Sequence, residues 1–80
     1  MKTHALKTHT EQFAALVSYA KKAEFRKDDR DFQVGDGLDL IEWDPIEDEA
    51  MSNRFRCVIT HIVRGPAFGI PDGYVMLSIG

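Results

Sequence analysis

The sequence predicts an α+β fold in which one N-terminal helix packs against a small, closed or half-closed β-barrel of about five strands. Three observations lead there. One stretch near the N-terminus repeats its apolar residues at helical spacing, several others alternate apolar and polar residues, and clusters of Gly, Pro and Asp separate them. With 80 residues there is room for one domain and not for two, and no repeat or linker divides the chain, so residues 1–80 are read as one unit.

Thr3 to Lys7 reads as a short opening strand. Thr8 and Glu11 have the spacing of a capping box, in which each side chain satisfies a free N–H of the first helical turn. Phe13, Leu16, Val17 and Ala20 then share one helical face, which predicts a helix over 8–20. Lys21 and Lys22 at its end suit the negative pole of the helix dipole. Ala23-Glu24-Phe25-Arg26 alternates, with Phe25 expected inward and Glu24 and Arg26 together on the opposite face. Asp28 to Asp31 is a polar turn, followed by Phe32, expected in the core rather than as a stacking platform. Val34-Gly35-Asp36-Gly37 is a second turn, leading into a strand through Leu38, Leu40 and Trp43 that Asp44-Pro45 ends. Glu47-Asp48-Glu49 is expected in a solvated loop, since it lacks the ligand spacing of a calcium loop. The strongest strand pattern runs from Arg54 to Arg64. It puts Phe55, Cys57, Ile59, His61 and Val63 on one face and Arg54, Arg56, Thr60 and Arg64 on the other. Gly65 to Gly73 is a loop, and the final strand, Tyr74 to Ile79, turns Val75, Leu77 and Ile79 inward.

The composition, 44% hydrophobic and 29% charged, is that of an ordinary soluble domain. Cys57 is the only cysteine, so no disulfide forms within the chain, and a cytoplasmic location is expected. There is no apolar run of the kind a signal peptide or a membrane span needs. The net charge of −3 is unevenly spread: +3 over residues 1–30, −8 over 31–53 and +2 over 54–80. A local basic patch on such a chain binds phosphate weakly and with strong salt dependence. His4, His9, Cys57 and His61 invite a zinc reading. However, residues i and i+4 on a strand are about 13 Å apart, too far for Cys57 and His61 to share a metal. No metal and no cofactor are therefore expected.

The run from Lys21 to Asp36 (KKAEFRKDDRDFQVGD) resembles the ASCH domains, a branch of the PUA-like barrels, and within it a short RNA-binding-like family of unknown function common in bacteria and phages. His4-Ala5-Leu6-Lys7 is similar to that family's opening, and Gly73 to Ile79 to its closing strand. The group's signature is Gly-x-Lys-x-x-Glu-x-Arg between the first helix and the next strand. Lys21, Glu24 and Arg26 fill its charged positions, and Tyr19 stands where the glycine is expected. A glycine there ends the helix in a left-handed conformation that a tyrosine adopts only at a cost.

The resemblance implies an RNA- or nucleotide-binding module with Lys21, Glu24 and Arg26 lining a cleft between the first helix and the barrel. Arg donates in a planar fork to phosphate or a base edge, and Glu accepts from an amine or a ribose hydroxyl. The plain alternative is a salt-bridged strand face contributing about 0–1 kcal/mol. Lys7, Lys27, Asp29 and Arg30 would extend the cleft, with Asp29 either orienting Arg26 or capping the turn. Tyr74 would either stack on a base or pack at the barrel mouth. Some small ASCH proteins are amidohydrolases of acylated cytidine, using a lysine, a threonine and a distant glutamate. Lys21 falls on the lysine position, but Glu24 replaces the threonine and no counterpart of the distant glutamate is found. The expectation is thus a binding module, with Lys21 and Glu24 as the proton-moving pair if the chain is an enzyme.

Overall fold

In the computed structural model, which describes all of residues 1–80, one helix and five strands follow each other as β1 (Thr3–His9), α1 (Thr10–Val17), β2 (Ala23–Lys27), β3 (Gly37–Asp44), β4 (Glu49–Arg64) and β5 (Tyr74–Ile79). The strands form one mixed sheet in the order β1-β3-β4-β5-β2, with β1 parallel to β3 and every other pair antiparallel. The α+β class and the five strands agree with the sequence reading. The closed barrel does not: β1 and β2 are the two edges of the sheet, and no ladder joins them. Side chains occupy the seam instead. Arg26 Nη2 donates to the Lys7 carbonyl (2.8 Å) and Arg30 Nη1 to the Ala5 carbonyl (3.1 Å), so the edge carbonyls of β1 meet guanidinium groups rather than a closing ladder.

The helix is shorter than expected at both ends. His4, Leu6 and Thr8 are all buried and lie opposite Leu38, Leu40 and Glu42 of β3. That pairing carries β1 through His9, so Thr8 is a strand residue and not a cap. The helix N-cap is His9, without a side-chain cap. At the other end Tyr19 has φ +62°, the left-handed conformation expected of a glycine at this place. Ser18 N–H donates to Ala14 O, Tyr19 N–H to Leu16 O and Lys21 N–H to Ala15 O, which satisfies the last carbonyls of the helix and turns the chain into β2.

β4 is shared between the two halves of the sheet. Its first part pairs with β3 and its last part with β5, with a register irregularity between Ile59 and His61. An extra residue there reverses the alternation beyond it. His61 is therefore exposed and Val63 lies outside the core, contrary to expectation. Ile62 comes to the inner side opposite Leu77, while Arg64, opposite Val75, stays exposed. The core comprises Leu6 and Leu16 with Phe32, Leu38, Leu40, Cys57, Ile59, Val75 and Leu77. Phe32 is fully buried, as expected, and Arg64 donates to its carbonyl and to Asp28 Oδ2 (3.2 Å).

The turn at residues 34–37 holds a buried polar pair. Gly35 has φ +95°, and the Asp36 carboxylate accepts from the N–H groups of Gln33 (3.1 Å) and Lys2 (3.2 Å) and bonds His4 Nε2 at 2.8 Å. The His4 hydrogen bond above all, helped by the two N–H groups, holds the Asp36 carboxyl below its ordinary value of 3.8 against the opposing effect of burial. A depressed folded-state value stabilises the fold above pH 3.8, and that stability is lost as pH falls through the lower value. Asp36→Asn should thus lower the urea midpoint more at about pH 6 than at about pH 3. An equal loss at both would show that the carboxylate charge is not what stabilises the turn.

No helix is long and apolar enough to cross a membrane.

Candidate binding cleft

The short strand β2 sets the geometry of the site. Glu24 is 3% exposed and Phe25 47%, so the face expected to point outward points inward. Hydropathy alone assigns Phe25 to the core, yet a buried carboxylate is tolerated when cations complete its hydrogen bonds. Glu24 Oε1 accepts from Lys21 Nζ (3.1 Å) and Oε2 from Arg26 Nε (2.9 Å). Lys21 also donates to Gln12 Oε1 (2.8 Å), which ties β2 to the helix. Arg26 Nη2 reaches Thr8 Oγ1 (3.3 Å) as well as the Lys7 carbonyl, which ties β2 to β1. Outside, the Phe25 ring stacks on Tyr74, with centroids 5.4 Å apart and planes 6° from parallel.

These groups wall an open cleft of about 340 Å³ between β1, α1 and β2, near the lower end of small-molecule sites. A second hollow of about 240 Å³ lies along the same seam, on the other side of Arg26, between Leu6, Phe32 and the Lys27–Arg30 turn. Arg26 is thus common to both.

Lys21, Glu24 and Arg26, named from the sequence, do converge. Arg30 lines the second hollow, and Asp29 sits 4.0 Å from Arg30 Nε with no hydrogen bond to Arg26. Lys27 is exposed there without an ion-pair partner. Lys7 contributes its carbonyl, while its ammonium lies 4.1 Å from the centroid of the Trp43 ring. Tyr74 lies opposite Lys27 in the ladder, outside the cleft. Thr8, Gln12 and Phe25 belong to the site and were not expected in it. Only Thr8 left a trace in the sequence, as the third member of the alternating set His4, Leu6, Thr8.

Cys57 lies in the core behind this site. Burial, reinforced by the negative charge of Glu24, pushes its thiol up to about 11, so it is neither a thiolate nucleophile nor a ready metal ligand near neutral pH. His61 is exposed beyond the irregularity in β4, and His4 is engaged by Asp36. His4, Cys57 and His61 thus lie in separate surroundings: beside Asp36, in the core and at the surface.

The molecule is a small α+β domain whose open mixed sheet carries a polar cleft at the seam between its edges. Residues 3–79 match the model of a family described as a domain of unknown function (DUF3850), and the chain belongs to that family. A curated relative, an uncharacterized 12.9 kDa protein in the GpA 3' region of Escherichia phage P2, is 45% identical over 42 residues. That match spans 52% of this chain and 38% of the relative, so the chain covers well under two thirds of the relative's length.

Proposed function

We propose that this chain is an RNA- or nucleotide-binding module of the PUA-like, ASCH kind, working in the cytoplasm without a metal or cofactor and gripping its ligand in the cleft between β1, α1 and β2. The observation that carries the reading is the state of the two cations on Glu24. Arg26 spends Nε and Nη2 on the protein and leaves Nη1 without a hydrogen bond, and Lys21 Nζ makes two of its three. A phosphate or a base carbonyl supplies the acceptors these fixed donors lack. The resemblance at Lys21, Glu24 and Arg26 supports the same assignment.

The test is a titration of the labelled full chain with short single-stranded RNA and with nucleoside monophosphates, followed by NMR. Shifts centred on Lys21, Glu24 and Arg26 are expected, with affinity falling as salt rises by a log–log slope of about −0.7 for each phosphate engaged. Arg26→Lys keeps the charge but loses the fork, and weaker binding in that variant is expected. Absence of any response at these residues would overturn the reading.

A second reading, a small amidohydrolase acting on an acylated cytidine, is favoured by one observation. The hydroxyl missing at position 24 is present on Thr8, which lines the same cleft as Lys21. Turnover of such a nucleoside that vanishes in Lys21→Ala would establish this second reading.

A further inference from the structure

We infer that the outer face of β2 and β5 is a stacking platform for a base of a single-stranded oligonucleotide, whose neighbouring nucleotide lies in the cleft. This rests on the nucleotide-binding reading above and goes further, since it makes an extended strand, not a free nucleotide, the ligand.

Phe25 and Tyr74 carry the argument. Their rings lie parallel within 6° at 5.4 Å, and Phe25 is half in solvent. An offset parallel pair keeps an outer π-face free, and any base extends the stack on it whatever its sequence. The platform is contiguous with the cleft, because Phe25 also lines it beside Arg26. Consecutive strand residues point to opposite faces, so a base on Phe25 and a phosphate at Arg26 would straddle β2. β2 is a sheet edge, so no further strand blocks that path. One cation beside the rings is free to meet a phosphate. Lys27, on the same outward face as Phe25 and paired with Tyr74 in the ladder, has no acidic partner. A cation free of ion pairs beside the exposed Phe25 and the half-buried Tyr74 matches a phosphate next to a base better than it matches the apolar centre of a protein interface.

The experiment compares the affinities of an oligoadenylate of about eight nucleotides and of adenosine monophosphate for the full chain and for Tyr74→Leu and Tyr74→Phe. In the unmodified protein the oligonucleotide is expected to bind about tenfold more tightly than the mononucleotide. Tyr74→Leu should erase that preference, and Tyr74→Phe, which keeps the ring, should retain it. Ring-current shifts at Tyr74 and Phe25 on adding the oligonucleotide, and not on adding the monophosphate, test the same point without a substitution. A preference that survives Tyr74→Leu overturns the platform, as does concentration-dependent dimerisation that the same variant abolishes. Binding of both ligands with equal strength overturns the platform and leaves the cleft as a nucleotide site. Failure of both ligands to bind removes the nucleotide reading itself.

Discussion

Phe32→Ala is expected to lower the unfolding free energy by about 4 kcal/mol. Phe32 has no solvent exposure and belongs to the same core cluster as Leu6, Leu38 and Leu40, with the His4 ring edge-on at 4.7 Å. Its removal leaves a cavity bounded by strand residues of a hydrogen-bonded sheet, which cannot close in without breaking their ladders. A domain of this length holds roughly 4–12 kcal/mol in all, so the variant should be close to unfolding at ordinary temperature. Urea denaturation read by the fluorescence of Trp43, the one tryptophan, measures the loss. A loss below about 1.5 kcal/mol would show that the surroundings collapse onto the gap.

Glu24→Ala is the second large effect, a loss of about 3 kcal/mol. The carboxylate is buried, and its removal leaves Lys21 and Arg26 facing each other without the negative charge between them. Both cations remain partly open to water, which keeps the cost at the lower end for a broken buried pair. Glu24→Gln keeps the shape and removes the charge, and has a distinct readout. Without the negative charge, one cause of the high Cys57 value is gone, so the thiol should ionise at a lower pH in that variant. The pH dependence of thiolate absorbance measures it. An unchanged titration would mean that burial alone holds the thiol protonated.

Most of the strands and much of the core could be read from alternation, because Leu38, Leu40, Val75 and Leu77 lie on strands packed on one face. Three features could not. The irregularity after Ile59 is marked by no Gly or Pro, so the sequence alternation of β4 runs unbroken past the point where the faces reverse. The orientation of β2 is a tertiary outcome: Glu24 finds two cations inside and Phe25 finds Tyr74 outside, and neither partner pair is visible from a five-residue pattern. The spacing of Thr8 and Glu11 is that of a cap and predicts a helix start two residues early, while the pairing that makes Thr8 part of β1 comes from β3, about thirty residues on. The charged trio of the cleft was legible from the resemblance alone. Its mutual hydrogen bonds were not, since they depend on the left-handed turn at Tyr19 that sets Lys21 beside Glu24.

The unclosed seam has a bearing on how these molecules behave in a crowd. A sheet that ends in bare carbonyls invites a copy of itself to continue it, and that is how many β-rich proteins come to aggregate. Here the rim of β1 meets Arg26 and Arg30, whose charged ends lie on its carbonyls. A second chain adding a strand there must first displace two guanidinium groups and leave them without those acceptors. The arginines that shape the cleft therefore also act as gatekeepers, discouraging unwanted self-association at an edge the fold leaves open.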